Sequence, residues 1–461
     1  MPNTLVPGQV RVGHLFLEGR HVEGPVCAAA LTFDDHRGAQ LLVPYLRTAD
    51  RHAQPQAWFE QSTPPEALAF ADNEGWVILL GVRWGGQSGS GFVTGRLTAQ
   101  TAIFGEPRTL RSTYRVRTMR SSIDGLDGFT HFRPVKYAFP ARGEPAVITL
   151  DDSESVSWRS QGYTYEFRAG AVWSGAEGRR FEAESLPFLA TTCHKGRTPQ
   201  EHLRAQWAVR DLLLLAHGEK LAWRTHHVAD EEFPLWTMDG KAHGPEPAET
   251  HFAGTVREHA QAQPSSIDLA FPALNLRALG SRGLKRWTDM YADDMFRRAV
   301  QPVAEVINGA ARFLEPQLMM LASALDYFGY YRFGDSCRRE LQESIRRCLD
   351  GADLDFPQIG SREGIARAIG RLNNDLKHPD RERRPEGDEL ACIVNLAKII
   401  ARAQPFDLVG AAPSAKKAFL ESRDVRWATE LFERCGLRVA DDGSITRRAE
   451  TDADESASMR E

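Results

Sequence analysis

LKRWTDMYADDMFRRAVQPVAEVI, residues 284–307, opens a series of segments in which apolar residues recur at helical spacing. FLEPQLMMLASALDYFGYYR (313–332), SCRRELQESIRRCLDGA (336–352), residues 362–378 and DELACIVNLAKIIARAQ (388–404) continue the same i, i+3, i+4 recurrence. Helices of this length predict an α bundle over residues 275–410. Residues 411–440 read as a helical extension. The segment DDGSITRRAETDADESASMRE (441–461) is polar and mixed in charge, and reads as disordered.

Toward the N-terminus the pattern changes near residue 275. VRVGHLFLE (10–18), VCAAALTFDD (26–35), WVILLGVRW (76–84), TYRVRTMR (113–120), AVITLDD (146–152) and TYEFRAGAVW (164–173) are short, rich in β-branched and aromatic residues, and separated by Gly, Pro and polar turns. They predict strands of an antiparallel sandwich or barrel over residues 1–260. One helix interrupts them, PQEHLRAQWAVRDLLLLAHGEK (199–220), with Thr198 as cap, Pro199 at the first position and Gly218 as a stop. Its LLLL run reads as a buried face. Trp76, Trp84, Trp158 and Trp173 read as core residues of the strands rather than as a base-stacking platform. GVRWGGQSGSG (81–91) lacks the Lys-Ser/Thr ending of a phosphate loop and reads as a hairpin tip. The expected fold class is α+β, a β-rich sandwich- or barrel-like domain followed by an all-α bundle.

A net charge of −5 argues against a general nucleic-acid coat protein and leaves room for a local basic site. MPNTLVPGQVRVGH lacks the layout of a signal peptide, and no apolar run reaches membrane-spanning length, so the expected location is the cytoplasm. The six cysteines form no C-x-x-C pair and read as reduced, buried thiols. The histidines include the pair His226–His227 but show no H-E-x-x-H spacing, so neither a metal nor another cofactor is expected.

Chemistry concentrates in EGIARAIGRLNNDLKHPD, residues 363–380. Arg371 and His378 are seven positions apart, which on a helix is ~700°, so the two fall within ~20° of one face and roughly 10 Å apart along the axis. Asn374 lies on the same stripe between them, and Arg367 extends it by one turn. Pro379 disfavours the α conformation at His378, which puts the imidazole where the helix stops. Guanidinium, amide and imidazole in a row can handle a phosphate: the first forks onto its oxygens, the second orients, and the third moves a proton. Metal-free RNA scission is the simplest chemistry that fits. It needs a proton taken from the 2′-OH, a proton given to the leaving oxygen, and charge stabilised on the phosphate. One His is poorly placed for both transfers, and a two-fold dimer would bring a second. Lys377, Arg381, Arg383 and Arg384 flank His378 as RNA-backbone contacts, although Asp380, Glu382 and Glu386 interleave them as in a solvated loop.

The Arg-to-His spacing at the end of a bundle helix resembles the signature of the HEPN ribonucleases, in which four to six residues separate the two. Here six intervene. In many members an Asn follows the Arg directly, as R-N-x-x-x-H; in this chain Asn374 stands in the Asn place and Asn373 in the Arg place, a long-spacer variant. The order of domains, with GHLFLEGRHVEGPVCAAALTF (13–33) and DLLLLAHGEKL (211–221), is similar to that of ApeA-like anti-phage abortive-infection proteins over about residues 10–410. The resemblance implies a metal-independent endoribonuclease that cleaves tRNA or other cellular RNA, with composite sites in a homodimer or dimer-based oligomer. It also implies a phage-derived trigger at the N-terminal domain. Asp326 is a supporting residue on the same ground, and Arg367 the alternative motif Arg. The competing expectation is a non-catalytic RNA- or protein-binding module of a defence or regulatory system.

Overall fold

The computed structural model describes residues 3–17, 24–50, 55–139, 147–176, 180–237, 239–259, 261–333, 340–378, 380 and 384–447. The fold is α+β, with a β-sheet region toward the N-terminus and a helical region toward the C-terminus. Two compact units are present. Residues 1–127, 132–207 and 222–263 make the first, and 128–131, 208–221 and 264–461 the second.

The first unit is built on one continuous fourteen-stranded sheet. From one edge its order is Ser155–Ser160, Tyr163–Arg168, Phe188–Arg197, Val116–Ile123, Trp223–Ala229, Ala248–Phe252, Thr101–Phe104, Trp76–Leu80, Ala67–Ala71, Val10–Phe16, Cys27–Asp34, Gly38–Leu46, Phe92–Thr98 and Arg83–Gly89. Neighbouring strands pair antiparallel along this one continuous ladder. Leu15, Leu31, Leu41, Val43, Phe70, Val77, Leu79 and Leu97 gather into one core with Trp58 and Phe59 of the short helix Gln56–Glu60. Phe59 reaches the sheet at Gly95, where any Cβ would overlap its ring.

The first strand inverts the expected alternation. Val10 and Val12 face out, while Arg11 is buried and forks onto Asp72 at 2.8 and 2.5 Å. Gly13 sets this register, because a Cβ there would collide with the Ala71 carbonyl of the neighbouring strand. Trp158 is core, stacked on Tyr165, but Trp84 and Trp173 are largely exposed, against expectation. The GVRWGGQSGSG stretch is not merely a tip: Arg83–Gly89 is the edge strand, paired with Phe92–Thr98. Every residue of this strand is exposed or half-buried, Trp84 among them.

The helix Pro199–His217 begins in this unit with the expected cap. Thr198 Oγ1 accepts from Glu201 N–H, and the Glu201 carboxylate accepts from Thr198 N–H at 2.8 Å. Its buried polar face docks on the sheet: His202 bonds Thr191 Oγ1 and the Val116 carbonyl, and Gln206 donates to the Met119 carbonyl at 3.1 Å. Ser121 donates to Gln206 and meets His226 Nδ1 at 2.8 Å, and His226 Nε2 meets Thr255 Oγ1 at 3.1 Å. His259 and His251 complete this buried cluster, with ring centroids 5.7 Å between His226 and His259. Burial and neighbouring imidazoles lower the His226 pKa well below its usual value and that of His259 to about 4.

The second unit is helical. Leu276–Tyr291, Asp294–Ile307, Leu314–Phe333, Leu341–Gly351, Arg362–Lys377, Gly387–Leu408, Pro413–Leu420 and Arg423–Arg434 pack around Trp287, Phe296, Leu321, Phe328, Ile345, Ile369 and Ile400. The single helix read over 284–307 is two, divided at Asp293, whose carboxylate caps Met295 and Phe296 N–H. Leu212–Leu215 are fully buried in this unit. Here Trp287 donates to the Ala208 carbonyl, Tyr291 to Asp211 at 2.6 Å, and Arg402 to the Leu215 carbonyl at 3.0 Å. The expectation of disorder from 441 onward is corrected for 441–447. Leu437–Val439 and Ile445–Arg447 form a hairpin around an Asp442-Gly443 turn, with Gly443 at φ +81°. Residues 448–461 lie outside the described residues.

Candidate functional site

The helix Arg362–Lys377 starts at Ser361, whose hydroxyl accepts from Gly364 N–H at 3.1 Å, and ends at His378 with extended backbone (φ −113°, ψ 98°). That break is the one expected before proline. Ile365, Ile369 and Leu372 bury one face, and the other carries the candidate stripe. Arg371, Asn374, Lys377 and His378 are all exposed. Arg384 is exposed too, and Arg381 and Arg383 lie outside the described residues. His378 N–H closes the last turn on the Asn374 carbonyl at 3.1 Å.

Arg367 is engaged elsewhere. Its Nε donates to Glu363 at 2.9 Å and its Nη1 to the Asp441 carbonyl at 3.3 Å, and Gly443 packs directly over it. The C-terminal hairpin therefore covers the first half of this helix. Val439 N–H bonds the Ile359 carbonyl at 2.8 Å, and a Cβ at Gly364 would collide with the Ala440 carbonyl. Asn373, in the Arg place of the shorter motif, is buried with its Oδ1 lacking a partner among the described residues. It belongs to the packed face.

Asp326 is exposed on Leu314–Phe333 and accepts from Ser344 Oγ at 2.8 Å, tying that helix to Leu341–Gly351. Beside it Cys348 is fully buried, and burial raises its thiol pKa to about 12, so it is structural. Asp442 was missed by sequence reading. Its carboxyl is held below the usual range by the Ser444 hydroxyl and N–H and also by the charge of Arg371, so the hairpin turn brings a carboxylate into that guanidinium's field. The Asp-Gly pair flanked by alternating LRV and ITR was the available signal.

The arrangement offers a fork for an oxyanion, an amide one turn further along the helix and an imidazole at the helix end. Among the described residues no group of His, Cys, Asp or Glu is placed to hold a metal ion, and no helix is long and apolar enough to cross a membrane. No protein-family model, no curated protein and no solved structure matches the chain.

Proposed function

We propose that the helical unit carries a metal-independent endoribonuclease site of the HEPN type, and that the chain cleaves tRNA or other cellular RNA in anti-phage abortive infection. One observation supports the reading above all: Arg371 and Asn374 are exposed on the helix Arg362–Lys377 and His378 is exposed at its cap, while Arg367 is taken up by Glu363 and the hairpin. In the reaction the 2′-oxygen attacks phosphorus and gives up its proton to a base. The bond from phosphorus to the 5′-oxygen breaks, and that oxygen takes a proton. Arg371 binds the non-bridging oxygens, Asn374 orients the phosphate and His378 performs one transfer. The other falls to His378 of the partner subunit across a two-fold axis. The β-rich unit then has the role of receiving a phage-derived trigger.

Purified protein incubated with total RNA in EDTA should leave 2′,3′-cyclic phosphate and 5′-hydroxyl ends. A strict need for Mg²⁺ or Mn²⁺, or 5′-phosphate products, would sink the mechanism. The competing reading is a non-catalytic RNA- or protein-binding module; the Asp442 carboxylate within the field of Arg371 weakens that cation's hold on phosphate and so counts against its RNA-binding form as well. That form predicts RNA binding that survives His378→Ala, with no cleavage by either the native chain or the variant.

A further inference from the structure

The first unit holds a cavity of about 690 Å³ whose lining differs from that of the stripe on the helix. Trp84 of the edge strand and Trp207 of the helix Pro199–His217 both line it, with the buried side chains of Leu203 and Phe252. Arg37 and Arg83 line it as well, and among the described residues no carboxylate does. A second depression of about 300 Å³ shares Arg83, Gln100 and Gln200 with the first and adds Glu66 and the hydroxyl-bearing Ser112, Thr113, Tyr114 and Thr198. The two glutamine positions are anchored. Gln200 donates to Thr101 Oγ1 at 2.6 Å, and Gln100 N–H bonds the Leu80 carbonyl at 3.0 Å. Thr255, also in the lining, is anchored from behind by His226.

Two indoles, two guanidiniums and two carboxamides around one space narrow the ligand chemistry. Inorganic phosphate would use the arginines and leave the indoles idle. A neutral sugar would use an indole face but offer the guanidiniums only hydroxyls, not the paired anionic oxygens that their fork fits. A nucleobase stacks on indole, presents donors and acceptors to glutamine amides, and carries phosphate for arginine. The volume lies within the roughly 300–1,000 Å³ of small-molecule sites. We propose that this cavity is a binding site for a free nucleotide, with Trp84 and Trp207 taking the base and Arg37 and Arg83 the phosphate. It lies wholly within the β-rich unit and does not depend on the ribonuclease reading.

The test uses the full chain, with tryptophan fluorescence and calorimetry read against the 5′-monophosphates of adenosine, guanosine, cytidine and uridine. The free nucleosides, ribose 5-phosphate and a short single-stranded oligoribonucleotide serve as comparisons. At least one monophosphate should quench the tryptophans saturably and bind about tenfold or more tighter than its nucleoside and than ribose 5-phosphate, as expected when stacking and a phosphate fork both contribute. Trp84→Ala and Arg83→Ala, both at exposed positions, should each weaken binding by about tenfold with unchanged circular dichroism. Arg37→Ala provides an independent second phosphate variant. Absence of binding by all four monophosphates would overturn the proposal. So would binding indifferent to Trp84, Arg83 and Arg37, or an oligoribonucleotide that binds where no monophosphate does.

Discussion

Arg371 and His378 stand at exposed positions, so their removal tests chemistry with little disturbance of packing. His378→Ala and Arg371→Ala should each cut RNA cleavage by about a hundredfold or more while the thermal midpoint stays unchanged, since general acid–base help and oxyanion stabilisation contribute on that order. Undiminished cleavage by either variant removes that residue from the site. Arg367→Ala should retain cleavage and lose about 1 kcal/mol or less, because its ion pair with Glu363 is surface-exposed. Inactivity of Arg367→Ala beside an active Arg371→Ala would move the motif Arg one turn earlier. In the first unit, His226 and His259 carry a pH signature. Their folded pKa values lie below the unfolded value of 6.5, that of His259 at about 4. The unfolded chain therefore binds more protons between these values, and stability falls as pH drops from about 6.5 toward 4. Asp211 in the second unit acts oppositely, since burial raises its pKa to about 7 and its stabilising proton is lost as pH rises through that value. Burial lowers the pKa of His202 and His227 as well and raises that of Glu219, so the depressed histidines outnumber the raised carboxyls in this window. Urea midpoints measured at pH 7 and pH 5 should drop with acid, and a midpoint that is flat or rises toward pH 5 counts against this account.

Elements show which signals a single sequence carries. The helix Pro199–His217 was legible because cap, proline and glycine are local in sequence and act locally in structure. The helices of the second unit were legible by period, and the same period places Arg371 and Asn374 on the outer face with Asn373 turned inward, while His378 follows at the cap. Three features were not legible. Arg11 points inward because Gly13 meets Ala71, a partner far along the chain, and Asp72 neutralises it. The break at Asp293 falls in an ADD run whose capping Asp looks like any surface acid. The engagement of Arg367 depends on Asp441, distant in sequence. The hairpin Leu437–Val439 with Ile445–Arg447 makes a prediction at this scale. Gly364→Ala should drive the Ala440 carbonyl off the helix and cost about 1–3 kcal/mol, as overpacking does. Faster hydrogen exchange at Val439 N–H would report it, and unchanged protection would show that the hairpin does not rest on Gly364. Arg11→Ala tests the inverted strand: it leaves Asp72 buried without its cation, at a cost of about 3–5 kcal/mol of unfolding free energy, read by denaturant titration.

At the scale of the whole molecule, one stripe holding a single imidazole calls for a second copy. A homodimer or dimer-based oligomer is expected by light scattering, with the Arg362–Lys377 helices of two chains meeting across the axis. Mixing inactive Arg371→Ala and His378→Ala chains should restore part of the cleavage if each active site draws on both copies. A fully active monomer at every concentration would refute sharing and send the search for a second proton donor to Asp326.

The ladder of helices in the second unit includes 208–221, a stretch encoded in the middle of the strand-rich half. A gene fragment beginning at residue 264 would thus be missing an internal support, not a terminal extension. It would leave Arg402 without the Leu215 carbonyl, Trp287 without that of Ala208, and Tyr291 without Asp211. Activity assays on truncated chains would then report misfolding of an incomplete bundle. Separating the halves calls for transplanting 208–221 along with the C-terminal portion, or for nicking the chain after it has folded.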